Sequence, residues 1–223
     1  MGGNDEGADR RVERGRSFRE HALDAIRTAI TTGELAEHTV YSAAGLAKQL
    51  GMSLSPVREA MMSLVAEGTV EAVPNRGYRL VPVTEADLEE IILLRSLLAV
   101  PAAERLCAAC DPATLEHLRT LAAEVLAAAQ AADAPRFLGV DRRFHGELLR
   151  AGLGPRAADI GLRLRDQSRV SELGEKPPAV NLRSAEETVD LVEAIAEGRT
   201  EDAAALVVAN LYYFRKSEES ASG

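Results

Sequence analysis

The run from Leu46 to Gly77, LAKQLGMSLSPVREAMMSLVAEGTVEAVPNRG, leaves a chain few ways to fold. Leu46, Ala47 and Leu50 put apolar groups on one side of a short helix, and Gly51 interrupts the pattern where a helix commonly ends in a left-handed residue. Ser53 is placed to cap the next helix, because a hydroxyl there accepts an orphan backbone N–H. Pro56 is tolerated only in a helix's first turn, and it falls there. Val57, Met61, Leu64 and Val65 then share one apolar stripe, which leaves Arg58 off the stripe near the N-terminal end. Gly68 stops the helix. Residues 69–73 and 78–81 alternate at strand period around Pro74-Asn75-Arg76-Gly77, a hairpin signal. Helix, turn, helix and hairpin together predict a winged helix-turn-helix, whose second helix presents its early residues to base edges in a major groove.

These residues also carry a resemblance. The order Leu46-Ala47, Leu50-Gly51, Ser53, Ser55-Pro56-Val57-Arg58-Glu59-Ala60, Leu64, Glu67-Gly68 and Pro74-Asn75-Arg76-Gly77 resembles the DNA-binding domain of the GntR family of bacterial transcription regulators. The resemblance implies a dimer on a short palindromic operator with GT and AC arms. It assigns base-edge or phosphate contacts to Arg58, phosphate bonds to Ser53 and Ser55, and a minor-groove approach to Asn75, Arg76 and Gly77, with Lys48 nearby. One position departs. The family places an Arg between the two hydroxyl residues at the start of the recognition helix, and this chain has Leu54. Leu bonds neither a phosphate nor a guanine edge, so weaker binding or an altered operator is expected.

The chain has 223 residues and a net charge of -9, an unusual sign for a DNA binder. The acid is unevenly spread: residues 1–83 hold 10 Lys and Arg against 11 Asp and Glu, and residues 84–223 hold 16 against 24. The winged segment is therefore near neutral, and phosphate affinity needs local positive charge. Its sources are Arg10, Arg11, Arg14 and Arg16 in the tail, Lys48, Arg58, and Arg76 and Arg79 on the wing. A dimer doubles the contacts. No apolar run approaches the roughly 18 residues of a membrane span, and the polar N-terminus lacks an apolar signal-peptide core, so the expectation is a cytoplasmic protein without a membrane partner. Two cysteines exclude a disulfide scaffold.

In order, residues 1–16 read as a disordered tail. Phe18, Ala22, Ala25, Ile26, Ala29 and Ile30 then space out an amphipathic helix that ends near Gly33. The winged domain is assigned to 17–82, with a hinge at Pro82-Val83-Thr84. Thr84 followed by Glu85 and Asp87 is a helix start. Beyond it there is no strand alternation. Helices are predicted over 85–109 with a disturbance at Pro101, 112–131, 134–151, 155–173, 180–197 and 200–217. The fold class is thus mainly α: an N-terminal winged helix-turn-helix plus a C-terminal all-α bundle over 83–217, and a disordered tail at 218–223.

Asp141 and His145 lie at i and i+4 on one helix face, a pair able to hold a divalent metal. The order Asp141-Arg142-Arg143-Phe144-His145 resembles the FCD ligand-binding domain of the FadR-type GntR subfamily. In many such domains two further His residues complete a metal site; the matching positions here are Thr188 and Asn210. Two of the four ligands are gone, so Zn or Ni at Asp141 and His145 is the lesser expectation. The preferred one is a polar cavity of Asp141, His145, Thr188 and Asn210 that binds an effector without metal. Arg95 resembles a family Arg suited to gripping a carboxylate effector with both nitrogens. Cys107-Ala108-Ala109-Cys110 has no second pair and reads as helix packing. Arg142, Arg143, Arg150, Arg163, Arg165 and Arg169 read as solvated faces, and Tyr212, Tyr213 and Phe214 as core or dimer contact.

Three functions fit these residues. The first is a ligand-responsive transcription regulator, not an enzyme, in which a small metabolite such as an organic acid modulates a DNA-bound homodimer. The second is a metal-dependent enzyme on Asp141 and His145, which lacks a general base and enough ligands. The third is an interaction module that kept the fold and lost operator binding, for which Leu54 and the near-neutral winged segment speak.

Overall fold

In the computed structural model, which describes residues 5–36, 38–171 and 180–212, the apolar spacing after Ser17 becomes one face of helix α1 (Asp5–Thr31). Ala22, Leu23, Ile26, Ala29 and Ile30 are buried, whereas Phe18 is 62% exposed and lies off that face. The helix begins well ahead of Ser17, through residues expected as a tail. Its early sequence carries four Arg and two Glu between residues 5 and 16, straight side chains that lose little freedom in a helix. The side chains of Arg10, Arg11, Arg14 and Arg16, the residues Tyr213 and Phe214, and the segment 218–223 lie outside what is described.

Helix α2 (Ala43–Gln49) is capped by Ser42, whose side chain accepts from the Gly45 N–H. Helix α3 (Leu54–Glu67) buries Val57, Ala60, Met61 and Leu64 and packs on α1 and α2. Arg27 of α1 grips both oxygens of Glu67 at 2.9 and 2.8 Å, closing the far end of that contact. Ser53 occupies the N-cap position of α3 with extended backbone, yet its side chain makes no capping bond; the expected cap is absent. Gly51 and Gly68 both take positive φ at the expected helix stops.

Strands β1 (Val70–Val73) and β2 (Gly77–Leu80) pair antiparallel, with Val70 opposite Leu80 and Val73 opposite Gly77. The turn between them has Pro74 followed by Asn75 at φ 57, and the Arg76 N–H bonds the Val73 carbonyl at 3.0 Å. Pro at the second position and Asn with positive φ at the third suit a tight turn. Gly77 is required for a different reason. Tyr41 and Tyr78 exchange two backbone bonds of 2.8 Å, and a Cβ on Gly77 would overlap the Tyr41 carbonyl oxygen.

The chain divides into two units, Met1–Pro82 and Val83–Gly223. The second is all helix: α4 (Glu85–Ala108), α5 (Pro112–Gln130), α6 (Ala134–Leu153), α7 (Pro155–Ser171), α8 (Leu182–Ala196) and α9 (Thr200–Leu211). Thr84 and Asp87 form a reciprocal capping box at the start of α4. The helix continues through Pro101 without ending. It runs against α6, α7, α8 and α9, so it is the column of the bundle. Phe137, Phe144, Ile92, Leu118, Leu148 and Val125 are fully buried in the core of the bundle. Each such side chain contributes about 1.5–3 kcal/mol relative to exposure.

Small residues set how closely the helices approach. Gly152 of α6 faces Ala102 of α4, and a Cβ there would stand 2.6 Å from the Ala102 Cα and 2.7 Å from its Cβ. Overpacking of this kind typically costs about 1–3 kcal/mol. Gly152→Ala is therefore expected to lower the urea midpoint of the bundle by that order. Gly139→Ala on the same helix, where a Cβ meets nothing within 4 Å, should be neutral or stabilising by about 0.5–1 kcal/mol. Equal behaviour of the two variants in urea melts would refute the close crossing.

Candidate DNA-contacting and effector sites

On the winged unit, the side of α3 away from the core carries Leu54, Ser55, Arg58 and Glu59, all exposed. Leu54 is 41% accessible, a large apolar side chain in the first turn with no core to enter. Ser55 donates to Glu59 at 3.2 Å. Lys48 is exposed at the end of α2, and Asn75 and Arg76 are exposed at the hairpin tip. Arg79 is spoken for: it bonds Glu71 across the strand pair at 2.7 and 2.5 Å. Its charge is offset within the hairpin, leaving Arg58, Arg76 and Lys48 as the outward cations among the phosphate candidates whose side chains are described.

In the bundle, Asp141 on α6 is 2% exposed and sits 3.4 Å from His145 Nε2, as the i, i+4 spacing predicts. Its other oxygen, however, accepts from Arg165 of α7. Arg165 is 4% exposed, so the solvated face predicted for it is wrong. Its second terminal nitrogen lies 3.5 Å from Asp166, and Asp166 in turn accepts from Arg142 at 3.1 Å. Acid and base thus alternate across α6 and α7. Arg95 of α4 donates to Ser168 at 3.2 Å, and Ser168 donates to the Arg165 carbonyl at 2.7 Å. A small cavity of about 20 Å³ opens among them, lined by Arg95, His145 and Arg165 with Ala99, Leu148, Leu149, Gly161 and Leu211. That is room for about one water.

The five residues expected at the effector site fall into two groups. Arg95 and His145 line it, with Asp141 directly behind. Thr188 and Asn210 instead converge on Ser184: the Thr188 hydroxyl donates to its carbonyl at 2.8 Å, and the Asn210 amide donates to its carbonyl at 3.0 Å and hydroxyl at 2.9 Å. Asn210 ties α9 to α8, the Thr188 bond stays within α8, and neither residue lines the cavity.

A divalent ion does not fit these donors. Among the described residues no three His, Cys, Asp or Glu side chains converge. A guanidinium already lies on Asp141, and the Asn210 amide points its hydrogens at Ser184. Burial pushes the His145 imidazole below its ordinary pKa; Asp141 opposes the shift, while Arg165 and Arg95 add to it. The ring is neutral at neutral pH.

Arg165, Asp166, Ser168 and Ser184 were missed in the sequence. A signal existed for three of them. Ala158, Gly161, Arg165 and Ser168 recur at 3, 4 and 3 residues, a buried stripe of one helix face with Asp166 beside it. Two of its members are polar, so the stripe does not read as core. Cys107 and Cys110 are free thiols, partly buried. Cys107 faces the Ala194 carbonyl at 3.9 Å, which accords with packing.

Comparison with known proteins adds family likeness. Residues 18–80 match the model described as bacterial regulatory proteins, gntR family, and residues 90–212 match the FCD domain. An HTH-type transcriptional regulator from the TAR-I ttuE-ttuC' intergenic region of Agrobacterium vitis is 35% identical over 131 residues, 57% of this chain and 77% of that protein. The HTH-type transcriptional regulator McbR of Escherichia coli K12 is 31% identical over 99 residues, 44% of this chain and 45% of that one. The solved structure of E. coli McbR/YncC superposes with a TM-score of 0.73 at 20% identity, covering 92% of this chain and 99% of that one. A Rhodococcus sp. RHA1 structure, described as a transcriptional regulator GntR, gives 0.67 at 21%, covering 90% and 97%. At such identities the two structures establish the fold.

The environment of His145 has a pH consequence. The unfolded chain takes up the imidazole proton near pH ~6.5, and the folded chain takes it up at lower pH. Between those points the unfolded state binds more protons, so stability falls as pH drops. The melting temperature is expected to decline from pH 7.5 towards pH 5, and His145→Gln should flatten part of that decline. Identical pH profiles for the two proteins would contradict the placement of the ring.

Proposed function

The chain belongs to the GntR family of bacterial regulatory proteins and carries an FCD domain, and on that footing we propose that it is a DNA-binding transcription regulator controlled by a small molecule held in the helical bundle. The observation that carries the reading is the joining of the two matched domains, one presenting Arg58 and Ser55 on an exposed first turn of α3, the other enclosing a small cavity on which Arg95, His145 and Arg165 converge. The names of its relatives are those of transcriptional regulators. The protein works as a homodimer on a palindromic operator, because one near-neutral winged unit carries too few outward cations for strong phosphate binding. Chromosomal DNA as the target places it in the cytoplasm, and among the described residues no helix is long and apolar enough to cross a membrane. The family and the names of its relatives are those of regulators, and nothing in them favours an enzymatic reading.

Arg58 reads a base edge or anchors a phosphate. Ser53, Ser55 and Lys48 bond the backbone, and Asn75, Arg76 and Gly77 bring the wing to the minor groove. Effector binding shifts the population between DNA-competent and DNA-incompetent states, which requires different affinities for the two. Arg58→Ala is expected to weaken binding to a duplex selected by the protein from a random library by about 1–3 kcal/mol if Arg58 reads a base. Unchanged affinity in a gel-shift titration would remove Arg58 from the contact.

Leu54 gives the operator a signature of its own. An exposed apolar group in the first turn of a recognition helix suits the 5-methyl of thymine, the one apolar mark in the major groove. Replacing single thymines by deoxyuridine removes only that methyl. One such replacement per half-site should weaken binding by the wild type and not by Leu54→Ala. A flat deoxyuridine scan would show that Leu54 reads nothing.

A further inference from the structure

The side chain that occupies the bundle site is one that sequence patterns hide. Arg165 comes from α7, is 4% exposed, and lies against the Asp141 carboxylate, within 3.5 Å of Asp166 and of the Leu138 carbonyl. Its Nε, buried, has no hydrogen-bond partner among the described residues. The same side chain lines the cavity together with Arg95 and His145. A buried guanidinium N–H without an acceptor is costly, and native interiors satisfy such groups with protein, water or ligand. Two guanidiniums on one small cavity, one with an open N–H, describe a receptor for an anion with a flat pair of oxygens.

We propose that Arg165 is the resident cation of this site, standing beside Asp141 and His145 where a divalent ion would otherwise bind, and that a small carboxylate ligand docks on Arg165 and Arg95 with no metal. The inference rests on the reading of the bundle as an effector-binding domain and narrows it to a metal-independent site. Ala99, Leu148, Leu149 and Leu211 wall the cavity, so the body of the ligand is short and largely apolar. The cavity holds about one water as it stands, so docking requires the wall to part. An incoming carboxylate competes with Asp141 for Arg165. Because Asp141 belongs to α6, Arg165 to α7 and Arg95 to α4, occupancy changes the terms on which three helices pack.

The test uses the full-length protein, with acetate, lactate, succinate and citrate as sodium salts and sodium chloride at matched ionic strength as the control. Melting temperature and calorimetric binding are measured in EDTA and again with Zn or Ni. At least one acid is expected to bind saturably in EDTA, with the same affinity when metal is present. Arg165→Gln should weaken it by about tenfold or more, the scale of a lost charge-assisted bond. Since Arg165→Gln leaves Asp141 without its partner, the double variant Asp141→Asn/Arg165→Gln, which removes both charges, and Arg95→Gln are measured alongside. Binding that needs metal, binding unchanged in the double variant, or no binding of any acid overturns the proposal. Titrating the selected operator duplex in the same samples separates the two readings. If an acid binds as described and operator affinity does not move, the anion site stands and the sensor reading falls. If operator affinity responds only when metal is added, the sensor stands and Arg165 is not its cation.

Discussion

Asp141 and Arg165 meet where water is nearly excluded, at 2% and 4% exposure. Either charge alone in that place would cost several kcal/mol, so the two elements that carry them are held together. Helix α6 must present Asp141, and helix α7 must present Arg165, at one rotation and one register. Arg142 and Asp166 repeat the pairing one step outward at 3.1 Å. Apolar packing obeys the same register: Leu162 lies over Gly146 and Leu149 over Gly161. Such a pair adds little net stability over a hydrophobic contact, but it penalises every arrangement that separates it. The cavity beside this interface is lined by Arg165, His145 and Arg95 together with apolar side chains.

The winged unit solves a different problem. Its core is ordinary, and its chemistry lies on a surface where little is held by neighbours. Ser53 makes no cap bond, Arg58 is exposed, and Leu54 stands in solvent. Exposed polar groups of this kind cost nothing while solvated and become informative only against a partner with fixed geometry, such as a duplex. Glu71 takes Arg79 out of the positive set. Among the phosphate candidates whose side chains are described, Arg58, Arg76 and Lys48 keep their charge facing outward.

Much of the fold was legible because it follows from local rules. Thr84 with Asp87, Gly68 after a helical stripe, and Pro74-Asn75 between alternating runs each act through backbone bonds and sterics within a few residues. The six bundle helices announce themselves by breakers at Asp111-Pro112, Ala134-Pro135 and Gly154-Pro155. The candidate effector site was legible only in part. Asp141 and His145 share a face by their spacing alone, and so meet. Thr188 and Asn210 sit on two other helices, and their partner Ser184 is an unremarkable serine in a line of text. Arg165 read as a surface residue because arginine usually is one.

The amino-acid order by itself determined which segments from Ser17 onward are helical, where most of the bundle helices begin, which faces are apolar, and that a winged unit precedes a bundle. Those properties arise from interactions spanning a turn or two of chain. Only the tertiary structure decided that a guanidinium from α7 lies on the carboxylate of α6, that Asn210 and Thr188 turn to Ser184, and that Gly152 admits Ala102. Such pairings depend on which helices adjoin and at what rotation, and that is settled by packing the whole unit at once. No window of sequence contains it.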